Sequence, residues 1–163
     1  MMYRRALLAG FGVLAAASVA LGGSSGDPDP GFGTSGVVIT KVGDVSEAYD
    51  LLQQPDGKLV IGGYVEEGSP RATQFLLVRY LADGTLDDTF GNGGIVQTDA
   101  VPGFSTRVKA IEQQADGKLI AVGFNSTFSY WDGADDVVLA RYLTDGSLDG
   151  DFGAGGIVVT DVA

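Results

Sequence analysis

The chain of 163 residues contains neither cysteine nor histidine. Without cysteine there can be no disulfide, no thiolate metal site, no thiol nucleophile and no lipid anchored on a cysteine behind a leader. Without histidine the commonest general base and the commonest transition-metal ligand are both missing. Basic residues are scarce as well, ten Lys and Arg against 21 Asp and Glu, for a formal charge of −11. A surface that acidic repels phosphate backbones and anionic lipid, so nucleic acid is excluded as a partner and docking on a membrane is disfavoured. It leaves room for a divalent cation. What the chain has in quantity is glycine, 26 residues, interleaved with short runs of β-branched and aromatic residues. That mixture predicts many short strands joined by tight turns, an all-β fold.

The first residues read as a secretory leader. Tyr3-Arg4-Arg5 forms a short basic end, Ala6 to Ala20 is apolar apart from Ser18, and Ser18-Val19-Ala20 presents small residues where a signal peptidase inspects them. The expected partition is a signal peptide over 1–20 with cleavage after Ala20, then a flexible Gly/Ser/Asp/Pro spacer over 21–31. The competing reading is an uncleaved anchor. Ala6 to Gly23 is barely long enough to span a bilayer and lacks a stop-transfer charge. The expectation is therefore an exported chain, periplasmic, extracellular or at the cell surface, with no membrane contact once the leader is removed.

The rest of the sequence repeats with a period of about 60 residues. LVRYLADGTLDDTFGNGGIVQTD, from Leu77 to Asp99, aligns with LARYLTDGSLDGDFGAGGIVVTD, from Leu139 to Asp161. Upstream, QQPDGKLVIGGY at Gln53 to Tyr64 aligns with QQADGKLIAVGF at Gln113 to Phe124. Phe32, Phe90 and Phe152 stand at matching positions and divide the chain into a first unit over 32–89, a second over 90–151 and the opening strand of a third over 152–163. Each unit is expected to hold four strands: 37–42 (repeated at 95–99 and 157–162), 48–54 (108–114), 58–64 (118–124) and 75–81 (137–143). Between the second and third strands, Pro55-Asp56-Gly57-Lys58 and Ala115-Asp116-Gly117-Lys118 carry the residues of a hairpin turn. Phe75-Leu76-Leu77-Val78 is apolar on both strand faces, as in a sheet covered on both sides. Four-stranded antiparallel sheets stacked along a tandem repeat point to the blades of a partial β-propeller, two blades plus one strand.

The QPDGK and RYxxDGxLDxxFGxGG patterns resemble those of the delta-60 repeat family of bacterial proteins over essentially all of Phe32 to Ala163. The resemblance implies a propeller-like blade in an exported or surface protein. It carries over no catalytic residue, because that family has no established chemistry. Such repeats usually run in longer arrays. Two units leave broad apolar sheet faces that need neighbours, supplied either by further repeats or by self-association.

Three clusters are candidates for chemistry. Asp83, Asp87, Asp145 and Asp149 lie in Asp-Gly-x-Leu-Asp turns and could offer oxygens to Ca2+. The spacing is not that of a helix–loop–helix calcium loop, and the alternative reading is that they are turn formers bonding nearby backbone amides. Arg79 and Arg141 interrupt apolar strands, so each needs a carboxylate partner, Asp87 or Asp149. The loop where the units differ most holds Phe128, Tyr130, Trp131, Asp132 and Asp135, an aromatic group flanked by carboxylates that suits a carbohydrate or a protein ligand. Its alternative role is to cover the edge of its own sheet.

With no catalytic residue assigned and no cofactor required, the best-supported function class is a non-enzymatic exported repeat module with a binding or structural role. A second class is a polysaccharide hydrolase or lyase using two carboxylates from Glu66, Glu67, Asp135 and Asp136. A third is a calcium-stabilised structural repeat.

Overall fold

The computed structural model describes residues 14–17, 26–68, 72–126 and 136–162. Its ten elements are all strands: β1 (Leu14–Ala17), β2 (Val37–Thr40), β3 (Val45–Gln53), β4 (Leu59–Glu66), β5 (Thr73–Tyr80), β6 (Ile95–Thr98), β7 (Ser105–Gln113), β8 (Leu119–Ser126), β9 (Val137–Tyr142) and β10 (Ile157–Thr160). They build two four-stranded antiparallel sheets, β3-β4-β5-β6 and β7-β8-β9-β10, and a two-stranded ribbon, β1-β2. The fold is all-β, a partial β-propeller whose sheets do not close into a ring. Among the described residues no helix is long and apolar enough to cross a membrane.

The hairpin turns form as their residues dictate. Gln54 donates its N–H to the Lys58 carbonyl at 2.8 Å and Gly57 donates to the Gln54 carbonyl at 2.9 Å, with Gly57 at φ +88°. Gln114, Lys118 and Gly117 repeat the pattern at 2.8 Å, 2.9 Å and +86°. Proline fixes the first dihedral in the first copy and glycine supplies the left-handed one in both.

One expectation is corrected by the strand order. The strand at 95–98 does not open the second unit; it is the last strand of the first sheet, paired with β5 from Phe75↔Thr98 to Val78↔Ile95. Likewise β10 completes the second sheet against β9 and does not begin a third. Two successive tight turns send the chain back beside the strand it has just left. Leu81 N–H bonds the Thr85 carbonyl, Asp87 N–H returns to the Arg79 carbonyl, and Arg79 N–H bonds the Gly94 carbonyl. The crossing between sheets comes later, in the segment from Asp99 to Phe104. Phe32, Phe90 and Phe152 thus mark the sequence repeat, while the sheets run 45–98 and 105–160. By the same equivalence β2 is an outer strand, and β1 is its partner.

The two sheets stack with β7 lying across β3, β4 and β5. Val60, Phe75 and Leu77 from the first sheet pack with Val108, Ile111, Leu119, Val138 and Tyr142 from the second in one fully buried cluster. The other face of the first sheet buries Ile61, Leu76, Val78 and Tyr80 with Phe32 and Val42. Phe75 to Val78 are therefore covered on both sides, as their composition requires. The outer face of the second sheet differs: Ile120, Val122, Phe124 and Leu139 are only half-buried. The expected cleavage point after Ala20 lies outside the described residues.

Candidate functional site

The repeated charges form a repeated framework. Arg79, 4 % exposed, donates Nε–H to Asp87 Oδ2 at 2.8 Å, and its guanidinium lies 4.2 Å from the Phe90 ring centre. Lys58 Nζ stands 3.3 Å from the same oxygen. Asp87 Oδ1 accepts from the hydroxyl of Thr89 at 2.6 Å and from its backbone N–H at 3.1 Å. Burial alone would push this carboxyl up; the Thr89 bonds, then Arg79 and Lys58, outweigh burial and hold it at about 2. The second sheet repeats the arrangement with Arg141 at 2.8 Å and Lys118 at 2.8 Å from Asp149 Oδ2, and with Arg141 at 4.6 Å from Phe152. Lys118 chiefly holds Asp149 below the usual carboxylate range. The arginines thus have the partners expected from the sequence.

The four aspartates considered as calcium ligands are occupied by hydrogen-bond donors. Asp83 Oδ1 accepts from Thr85 N–H and Oγ1–H at 2.9 and 2.7 Å, and Asp145 Oδ1 accepts from Ser147 in the same way at 2.9 and 2.6 Å. Both are held below the ordinary value, first by the side-chain hydroxyl bond. Their geometry is that of turn formers. Among the described residues no group of three or more acidic side chains is placed to hold a metal ion. Phe128, Tyr130, Trp131, Asp132 and Asp135 lie outside the described residues. Of the remaining carboxylates, Glu66 ends β4 in one sheet, whereas Asp136 precedes β9 in the other and accepts from Asn125 Nδ2–H at 3.1 Å. The chain order puts them on different sheets.

The sequence reading missed a second group of residues, which stands out only after folding. The first strands of the two sheets, β3 and β7, lie side by side. There the ammonium of Lys109 sits 3.5 Å from the Tyr49 ring centre and 5.2 Å from that of Phe124. The Arg107 guanidinium sits 4.8 Å from the Tyr64 ring centre, and Tyr49 and Tyr64 stand 6.0 Å apart, tilted by 32°. Tyr49 is 40 % exposed and donates its O–H to Glu47 Oε2 at 3.1 Å. Partial burial, then the Glu47 carboxylate, pushes its phenol up to about 12. Burial and the neighbouring Arg107 push the Lys109 ammonium down. Arg107 Nε is buried with no hydrogen-bond partner among the described residues. The signal in the sequence was faint: Tyr49 aligns with Lys109, so this pairing is a difference between repeats, as in the loop.

A polar cavity of about 360 Å3 opens between the turn ends of the two sheets, lined by Gln54, Asp56, Lys58, Arg79, Thr144 and Asp145. Arg79 crosses it to donate to the Thr144 carbonyl at 2.6 Å. Its charges belong to the framework clusters.

Residues 54–90 and 114–152 are similar to a family described as a domain of unknown function (DUF5122) beta-propeller. The two matched segments run from the hairpin turn of each sheet to the phenylalanine under its arginine, so the likeness rests on the framework just described. No curated protein and no solved structure matches the chain.

Proposed function

We propose that this chain is an exported, non-enzymatic β-propeller-like module that binds a partner or builds surface structure. One observation carries the reading: charges common to both repeats are consumed in framework bonds, whereas exposed residues that differ between them gather on the inner strands. Asp87 and Asp149, the buried carboxylates common to both repeats, each satisfy an arginine and a lysine. Tyr49 and Lys109 form an exposed aromatic and cationic pair, backed by the buried Tyr64 and the half-buried Arg107, on an otherwise acidic chain. Such surfaces stack on sugar rings or hold carboxylates. The leader-like composition of residues 1–20, the duplication and the lack of histidine and cysteine support the same reading.

Titration with neutral and uronate-bearing oligosaccharides, followed by NMR, should move the resonances of residues 47–50 and 107–109. Tyr49→Ala and Lys109→Ala should abolish the shifts. A polysaccharide panel assayed for reducing ends tests the rival enzyme class. Turnover lost in Glu66→Gln or Asp136→Asn would overturn the proposal. The calcium-stabilised alternative predicts a melting temperature that falls in chelator.

A further inference from the structure

We infer that Arg107 and Lys109 form a carboxylate-binding site, whose ligand is a glycan recognised through a uronate group and not through stacking on its rings. The inference rests on the binding reading above and narrows it to one chemical class.

The site is built by two irregularities at matching places. In each sheet the first strand bulges, between Ala48 and Asp50 and between Val108 and Ala110. A bulge turns its extra residue out of the ladder, and the extra residues are Tyr49 and Lys109. Glycine permits both bulges. A Cβ on Gly63 would run into the Glu47 carbonyl, and one on Gly123 into the Arg107 carbonyl. Because β3 and β7 lie side by side, the two bulged residues meet, the Lys109 ammonium 3.5 Å from the Tyr49 ring centre.

The charges gathered there are not balanced. Among the described residues Lys58, Arg79, Lys118 and Arg141 each pair with an aspartate, whereas Arg107 and Lys109 pair with no carboxylate. They rest on rings instead, Arg107 on Tyr64 and Lys109 on Tyr49 and Phe124. Glu47 stands beside them and accepts the Tyr49 O–H at 3.1 Å. Two cations against one carboxylate leave a local positive charge in a chain whose net charge is −11. Burial, then the neighbouring Arg107, push the Lys109 ammonium below its ordinary value. Arg107 also keeps a buried Nε without a hydrogen-bond partner among the described residues. Like charges held together without a counter-ion are relieved when an anion binds between them.

The aromatic faces are already in use, Lys109 over Tyr49 and Arg107 over the buried Tyr64. What the site offers a ligand is therefore charge. A guanidinium fork matches the plane of a carboxylate, and the exposed ammonium adds a point charge beside it. The acidic remainder of the chain repels dense polyanions, so the ligand carries an isolated carboxylate on a neutral body. Glu47 repels a second anion but accepts from hydroxyls. A uronate ring supplies both groups, a carboxylate for the cations and hydroxyls for Glu47.

The test titrates the full chain, followed by NMR, with methyl glucuronoside and methyl glucoside at matched ionic strength. These share ring and hydroxyls and differ by a carboxylate against a hydroxymethyl group. The glucuronoside should move residues 47–50 and 107–109 with a Kd at least about tenfold lower, the worth of one charge-assisted contact. Lys109→Gln, at an exposed position, should bring the two sugars to equal affinity, and Lys109→Arg should restore the preference. The ε-methylene resonance of Lys109 should titrate at higher pH with the glucuronoside present, a shift that a purely structural lysine would not show. Equal binding of both sugars to the unaltered chain would overturn the carboxylate assignment and leave the binding reading standing. A response to neither would overturn both. A preference that survives Lys109→Gln would place the carboxylate elsewhere and overturn the inference, as would binding of a peptide with a free C-terminus in place of the glucuronoside.

Discussion

Ile111 donates its backbone N–H to Asp50 Oδ2 at 2.8 Å, a hydrogen bond between two sheets whose strands are 61 residues apart in sequence. The bulge between Ala48 and Asp50 in the pairing of β3 with β4 makes it possible. A matching bulge between Val108 and Ala110 exposes the Ile111 amide from the other side. An irregularity in each sheet thus becomes a join between them.

Asp50→Ala should cost about 1–3 kcal/mol, because it strands a partly buried amide. The loss should appear as a lower urea midpoint with an unchanged slope. Ala110→Asp, which would supply a new acceptor on the exposed side of the second sheet, should leave stability nearly unchanged.

The two framework clusters are alike in chemistry and different in burial, so their loss should differ in size. Asp87→Asn leaves the buried Arg79 without its counter-charge and should destabilise the chain by about 3–5 kcal/mol. Asp149→Asn leaves Arg141, whose side chain is 20 % exposed, to be rescued by water, and should cost clearly less. Thermal melts of the two variants side by side decide this. Equal losses would mean that the arginine environments are equivalent in solution.

The same carboxylates set the response to acid. Asp87 is depressed from 3.8 to about 2, and Asp83, Asp145 and Asp149 are depressed in the same direction. A carboxyl whose folded value lies below its unfolded one contributes stability that is complete above the unfolded value and lost as pH falls through the folded value. Stability should therefore be flat from neutral pH to about 5 and fall between about pH 4 and pH 2. Asp87 alone accounts for about 2 kcal/mol of that fall. With no histidine in the chain, no step is expected between pH 6 and 7.

Packing at the sheet junction can be tested by moving one methyl-bearing group across it. Gly62→Val should overpack the space held by Val108 and Ile111 and cost about 1–3 kcal/mol. Adding Val108→Ala removes one of the two side chains that a Cβ at position 62 would meet at 2.9 Å and should recover part of that loss. The coupling is read from a double-mutant cycle. Additive losses would show that the two side chains do not share the space.

What the sequence determined by itself is local chemistry repeated. Strands, hairpin turns and the arginine–aspartate pairs all depend on residues within about one hairpin of each other, and periodicity and turn residues report them directly. Tertiary structure decided what depends on where the chain goes after each turn. The last strand of each sheet returned to its predecessor because two tight turns reverse the chain within the segment from Leu81 to Gly94, and sequence equivalence alone does not say which sheet receives it. The meeting of Tyr49 with Lys109, the bond from Ile111 to Asp50 and the fit of Val108 and Ile111 against Gly62 exist only where two sheets touch. There, residues distant in sequence compete for one volume, a relationship that exists only between the stacked sheets.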